Sequence, residues 1–508
     1  MPSQQHPLEL PEILSHVASY VHRRSLPVCA RVSKAWHQAF IPFIWEDIHP
    51  RYPKYNRPGL EAVRKHCHLV KTLTLDAHNH RNLCSLARYP NLQSLSVSRI
   101  PEPTELLLYH HASLLQLTLK NVPIVSGTWA TLLQLENLTD LGLYHMEIQE
   151  TTTSTTETET ETEMETTETD MDRFWQLCTR LERLTCFSLD IRCHPGQLFS
   201  MTFPRLKELQ IRRREVIDHT VFLELMKRCP NLTTCVWATL LVSRHPTPPE
   251  LVEAMAAKTW PHLHRFHLES HPIYTKEACK IIGGMERITS LALSCPPSAL
   301  QPETMDHLRL HFAYLTVLRW IWPRAVDDSA TAQVILASCP CLVRFSGNWI
   351  TAATIAKGAP WVCLGLRTLI ITPIFDSSTI QDIQPRVFEQ IARLERLEVL
   401  RLWDPNPRDD FQPYLFQKSV DLRLTYGLGK LSTLRWLRYI AFNFSHQRMG
   451  EQEMDWILEH WTSLEMVRGR LDGLDDVVGN ELSQRLRDRG IDVGVNTGKG
   501  KELYEDVD

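Results

Sequence analysis

Histidine and cysteine have the most chemistry to offer in this sequence, and their spacing uses little of it. The 508-residue chain holds 23 histidines and 13 cysteines. Metal ligation needs such residues grouped at short, fixed intervals. His78 and His80 form one pair and His110 and His111 another, but neither is joined by Asp, Glu or Cys at ligand spacing on a helix. No C-x-x-C occurs, and the cysteines stand beside apolar residues or at loop ends such as Cys229-Pro230 and Cys339-Pro340-Cys341. The nucleophile elbow G-x-S-x-G, Walker-type loops and G-x-G-x-x-G are all absent. Gly283-Gly284 follows Ile281-Ile282, where a glycine ends a helix. The expectation is a non-enzyme with no catalytic residue, metal or cofactor. Its thiols should be reduced and mostly buried, as suits a cytoplasmic or nuclear protein.

Composition points the same way. Apolar residues make up 43% and charged residues 22%, an ordinary balance for a soluble chain. A net charge of −4 lacks the basic excess of a nucleic-acid binder. No run of about 18 apolar residues suggests a membrane span. The opening MPSQQHPLELPEIL has no basic region before an apolar one, so no secretory signal is expected.

The elements behind these residues come from periodicity. An L-x-x-L-x-L pattern recurs as Val70-Leu73-Leu75, Leu92-Leu95-Val97, Leu114-Leu117-Leu119 and Leu138-Leu141-Leu143. It resumes as Leu184-Phe187-Leu189 and continues, through Leu369 and Leu400, to Leu464-Val467, making 15 candidate repeats. The first four middle residues, 73, 95, 117 and 141, are 22, 22 and 24 apart, within the roughly 20–29 residues of a leucine-rich repeat. Along a strand the fourth and sixth motif positions face the same way, and one such unit cannot bury its apolar face alone. The predicted fold is α/β: a leucine-rich-repeat solenoid or horseshoe, with blocks at residues 60–149 and 171–495. Residues 481–489 read as a helix and 491–495 as a last strand. Residues 150–170 carry eight acidic and no basic residues among threonines. They are expected to be a disordered insertion, with Thr151 to Thr156 open to phosphorylation, and 496–508 a disordered tail.

Residues 7–48 differ. Pro11 suits the first turn of a helix, and Ile13, Leu14 and Val17 follow at helical spacing. A second helix is expected from about Pro27 to Phe40, with Val28, Cys29, Val32 and Trp36 on one face, and Phe43, Ile44 and Trp45 closing the segment. So small a unit needs a partner or neighbour to be stable. Leu8, Leu10, Pro11, Ile13 and Leu14, then Cys29, Val32, Ser33, Trp36 and His37, then Trp45, resemble the F-box family. Glu12 directly before Ile13 and the Arg-rich link 20–26 depart from its pattern. The order of F-box then leucine-rich repeats resembles a known subclass. The resemblance implies docking to a Skp-type adaptor and through it to a cullin complex. Leu8, Leu10, Pro11, Ile13, Leu14, Val17, Cys29, Val32 and Trp36 would form the contact.

Strand residues flanking the core leucines would face the concave side. Early ones are small and polar, such as Thr72, Ser94 and Ser96. Later ones are basic or aromatic: Arg265, His267, Arg319, Arg344, Arg401, Trp403 and Arg468. Arginine and tryptophan anchor interfaces, and arginine suits carboxylate or phosphate, so an acidic or phosphorylated protein segment is one expected ligand. Scattered surface charge is the other account of these arginines. Two functions follow from the resemblance: the substrate-recognition subunit of a Skp–cullin–F-box ubiquitin ligase, or a repeat scaffold with a vestigial F-box and no ubiquitin role.

Overall fold

A computed structural model describes residues 10–21, 23–48, 60–77, 88–100, 103–109, 112–123, 126–146, 170–188, 201–213, 219–239, 247–294, 302–321, 329–375, 380–402, 420–442, 448–469, 471 and 476–494. The insertion up to residue 169, the tail 496–508, Leu8 and Trp403 lie outside them. The backbone divides into two compact units, Met1–Leu232 and Thr233–Asp508.

The first unit opens with three helices: α1 (Pro11–Tyr20), α2 (Leu26–Cys29) and α3 (Lys34–Trp45). Pro11 occupies the first turn of α1, where its missing N–H costs nothing. The single helix expected over 27–40 is two helices. Ser33 is fully extended and its hydroxyl caps α3 by accepting the Trp36 N–H at 3.2 Å, so the cap breaks the run. Strands follow: β1 (Asp47–Ile48), β2 (Thr72–Asp76), β3 (Ser94–Ser98), β4 (Gln116–Lys120), β5 (Asp140–Tyr144), β6 (Arg183–Phe187) and β7 (Glu208–Arg213). Each is parallel to the one before, with helices between most of them.

In the second unit come β8 (Thr234–Thr239), β9 (Arg265–Pro272), β10 (Ser290–Ser294), β11 (Val317–Ile321), β12 (Arg344–Thr351), β13 (Thr368–Ile374), β14 (Val399–Leu402), β15 (Tyr439–Phe442), β16 (Met466–Arg468) and β17 (Asp492–Gly494). They too are parallel in sequence order. Parallel strands with helices between most of them make a leucine-rich-repeat solenoid that follows a small all-α module. The fifteen strands β2 to β16 are the fifteen anticipated. No helix is long and apolar enough to cross a membrane among the described residues.

Register explains the sequence period. Leu73, Leu95, Leu117, Leu141, Leu184 and Leu209 stand in one row, and Leu75, Val97, Leu119, Leu143, Cys186 and Ile211 two residues on in another. All are at most 4% exposed. The motif of β6 is therefore Leu181-Leu184-Cys186, and the reading Leu184-Phe187-Leu189 is out of frame by three. Cys186 packs as a small apolar residue, while Phe187 aligns with Tyr144 and Arg212 at the strand ends.

Both strand ends are tied across repeats. At the start, two successive N–H groups donate to one carbonyl of the previous repeat: Gln93 and Ser94 to Lys71, Leu115 and Gln116 to Gln93, Val343 and Arg344 to Thr316. At the finish in the first unit, Arg99, Asn121, His145 and Ser188 adopt left-handed φ of 49–57°. Each N–H then reaches a carbonyl at the end of the next strand, of Lys120, Tyr144, Phe187 and Arg212 in turn, at 2.7–2.9 Å, which offsets the strain of a non-glycine residue there.

His311 illustrates what burial does to an ionisable group between repeats. It is 3% exposed and its Nδ1 accepts the Ile288 N–H at 3.3 Å. Burial lowers its pKa below the usual 6.5, nearby His307 adds to this, and the Ile282 carbonyl opposes it. The folded chain thus refuses a proton that the unfolded chain accepts. The stability this neutral imidazole supplies is present above pH 6.5 and lost as pH falls below it. Urea midpoints compared at pH 7.5 and pH 5 should show a larger acid loss in the wild type than in His311→Gln. Equal losses would contradict the assignment.

Candidate docking surfaces

The module has its own core. Leu14, Ala18, Leu26, Ala30 and Phe40 are 0–6% exposed and pack together. Val17, Cys29, Trp36, Phe43 and Ile44 lean against them half-buried, Trp36 stacking on Phe40 at 5.1 Å. What remains outside is apolar too. Leu10 is 38% exposed, Ile13 37%, Val32 64% and Val28 67%, with Pro11 also exposed. The anticipated contact set thus splits. Leu10, Pro11, Ile13 and Val32 face solvent, and Val17, Cys29 and Trp36 are half-covered. Leu14, at 1%, has no surface to offer and shapes the patch from beneath. Val28 was not among the anticipated contacts and is the most exposed of the valines on this surface. Exposed apolar surface of this kind on a small unit is a common mark of a contact surface.

The module is also fixed to the repeats. Its last two residues are β1, paired with β2 as Asp47 to Thr72 and Ile48 to Leu73. Lys71 and Thr72 donate their N–H groups to the Glu46 carbonyl at 2.8 and 2.9 Å. Lys71 Nζ meets Glu46 Oε1 at 2.8 Å, Arg23 pairs with Asp47, and Trp45 stacks on His66 at 4.9 Å. A hollow of about 660 Å³, lined by Phe43, Glu46, Leu69, Lys71 and Leu115 among others, lies between α3 and the first loops.

On the sheet face of the second unit turned away from the core, the anticipated basic residues fall into two adjacent rows. Arg265 and Arg344 share one row with Ser290, Val317, Thr368, Val399, Tyr439 and Met466. His267, Arg319, Arg401 and Arg468 share the next with Ala292, Ser346, Ile370, Ala441 and Gly494. Their availability differs. His267 is 6% exposed and its Nε2 lies 2.8 Å from Ser290 Oγ. Arg401 is 7% exposed, with its guanidinium 4.9 Å from the centre of the Tyr439 ring. Burial raises the Tyr439 phenol above its usual range while Arg401 and Arg468 pull it down. Arg319 reaches past Ala292 of the intervening strand to Glu269 Oε1 at 2.9 Å. Arg468 pairs with Asp492 at 2.7 Å, and Gly494 leaves it room, since a Cβ there would come within 2.7 Å of its Nη1. Among the described residues this face carries five arginines and the carboxylates of Glu269 and Asp492, and His267 and Arg401 are set into it.

Among the described residues no group of three or more His, Cys, Asp or Glu could hold a metal ion. Burial pushes the Cys339 thiol up to about 12 and Cys363 up to about 11, and raises Cys178 and Cys229 as well. These thiols are poor nucleophiles at neutral pH.

Residues 11–51 match the F-box-like family model. No curated protein matches the chain. Among the solved structures similar to it are two of low identity. A leucine-rich-repeat protein of Leptospira interrogans is 13% identical, over 87% of this chain and all of that one, with a TM-score of 0.27. The yeast Rad7 and Elc1 complex is 11% identical, over 96% of this chain and 92% of that one, with a TM-score of 0.34. Neither superposes closely enough to bear on function.

The split of the module's apolar residues is measurable. Leu14→Ala should cost about 2–5 kcal/mol of module stability, as cavity formation does in a core. Ile13→Ala, already partly in water, should cost under about 1 kcal/mol. Pulse proteolysis of residues 11–45 across a urea series reads both; equal costs would show that the two side chains are not inside and outside.

Proposed function

We propose, from an F-box-like module joined to a leucine-rich-repeat array, that this chain is the substrate-recognition subunit of a Skp–cullin–F-box type ubiquitin ligase. The observation that carries this reading is the set of Leu10, Ile13, Val28 and Val32, apolar and exposed on a module whose own core is complete. A Skp-type adaptor covers that patch, and the repeats hold a protein target. The chain breaks no bond. It raises the local concentration of the target beside a ubiquitin-charged enzyme held by the same cullin complex, and such tethering supplies rate without a catalytic residue. The pairing of β1 with β2 supports this, because it makes the module continuous with the first repeats.

The target site in this reading is the positive sheet face of the second unit. Arg344 and Arg468, steadied by their neighbours, receive carboxylates or phosphates of an acidic segment, and Arg401 with Tyr439 forms a flat, stacked platform beneath it.

The test is co-expression of the full chain with a Skp-type adaptor. The wild type should co-purify with it, and Ile13→Asp with Val28→Asp should weaken capture by about 100-fold or more, since each places a charge on a desolvated contact worth roughly 2 kcal/mol or more. Both residues are exposed, so the melting temperature should hold. Undiminished capture by the double variant would overturn the reading.

A further inference from the structure

Exposed apolar side chains in the second unit are not scattered. Seven large ones stand on its described residues. Six of them, Leu310, Tyr314, Val343, Val362, Leu364 and Trp436, lie on the loops that lead into β11, β12, β13 and β15. These loops are neighbours. The N–H groups of Val343, Arg367, Glu398 and Arg438 each donate to the equivalent carbonyl one repeat back, at 2.7–2.9 Å. Leu310 is 72% exposed, Trp436 65% and Leu364 52%, so they contribute little to packing within the chain.

The same edge in the first unit is built differently. Three residues before a strand it carries Asn91, Ser113 and Asn137. Asn91 and Asn137 donate their side-chain N–H groups to the His68 and Ala112 carbonyls at 2.7 and 2.8 Å, binding repeat to repeat. Among the described residues Leu115 is exposed there, and Leu108 and Tyr109 are exposed at the end of the helix before it. The equivalent positions before β11, β12 and β15 are Tyr314, Cys341 and Trp436. Polar residues thus serve this edge where it only has to hold the stack together, and the apolar ones of the second unit are left over from that task.

Charge on the edge has a sign. Arg287 lies over the Tyr314 ring at 4.4 Å. Arg393, Arg396 and Arg435 are exposed on the same series of loops. Among the described residues none of these four is in an ion pair, and the exposed carboxylates beside them are Glu286 and Glu395. A shallow hollow of about 390 Å³, lined by Pro261, Leu263, His264 and Arg287 among others, opens at the start of the series. Apolar anchors interspersed with a cationic excess, on a chain of net charge −4, complement one kind of surface.

We propose that this edge of the second unit is a docking surface for an acidic amphipathic segment of a partner protein. The segment sets apolar side chains on Leu310, Tyr314, Leu364 and Trp436 and carboxylates against Arg287, Arg393, Arg396 and Arg435. The edge precedes the strands and is separate from the arginine rows of the sheet face. Its use does not depend on adaptor capture by the module.

The test pans the purified full chain against a random-peptide phage library. The enriched pool should be rich in Asp and Glu beside large apolar residues. Peptides synthesised from it should bind more weakly as salt is raised. They should lose about tenfold or more in affinity with Leu310→Ser, Leu364→Ser and Trp436→Ser combined, and keep their affinity with Arg344→Ala and Arg468→Ala on the sheet face. Should the triple variant fold poorly, Arg393→Glu with Arg396→Glu must produce the same loss. No enrichment, a neutral or basic pool, indifference to the edge substitutions or loss through the sheet-face pair would each overturn the proposal. So would a wild-type dimer in sedimentation that the edge substitutions disperse, because a second copy would then be the occupant.

Discussion

One carbonyl accepting two N–H groups recurs at nearly every joint of this molecule. The residue before each strand and the first residue of that strand both donate to the carbonyl one repeat back. This runs from Glu46 through Lys71, Gln93, Leu115 and Thr139, and in the second unit from His264 through Thr289, Thr316, Val343, Arg367 and Glu398. The bond sets strand starts level with one another, and level starts place the leucines of successive repeats in continuous rows. The core follows from register, since a slip of one residue would turn every apolar side chain to the other face. Buried backbone groups have to be satisfied, and here one motif satisfies them repeat after repeat while the loops stay free to vary.

Side chains on the first joint residue reinforce the bond in two ways. Thr139, Thr289 and Thr316 send their hydroxyls to the same carbonyl that accepts their N–H groups. Elsewhere charges alternate, as in Lys207 with Glu182 at 2.9 Å and Arg438 with Glu465 at 2.9 Å. Such exposed pairs are worth little singly. The surfaces read as functional are the places where this economy stops: exposed valines and leucine on a module that needs none of them outside, arginines given room by Ala292 and Gly494, and aromatic residues where asparagine would have served.

Much of this was legible in the sequence because periodicity of 22 to 24 residues leaves few alternatives. The failures are local and physical. Cys186 is a core residue in a leucine position, and passing over it shifted β6 by three residues. Ser33 divides a helix that its apolar face alone would make continuous. β1 is two residues long, too short to show a pattern. In α1 the residues Ile13, Leu14 and Val17 read as one stripe, yet only contact with α2 and α3 decides that Leu14 goes in and Ile13 stays out. Arginines could be assigned to the sheet face by alternation, but their partners could not. Glu269 answers Arg319 from two strands away, and Tyr439 comes to Arg401 from the next repeat.

Joined through the Glu46 carbonyl, the module and the first repeats should unfold as one cooperative body, so that whatever covers the module is held against those repeats. Amide hydrogen exchange at Lys71 and Thr72 tests it most directly, measured in the wild type and in Phe40→Ala, which empties the centre of the module core. Protection at these two amides should fall together with that of α3. Full protection of Lys71 and Thr72 beside an unfolded α3 would contradict it.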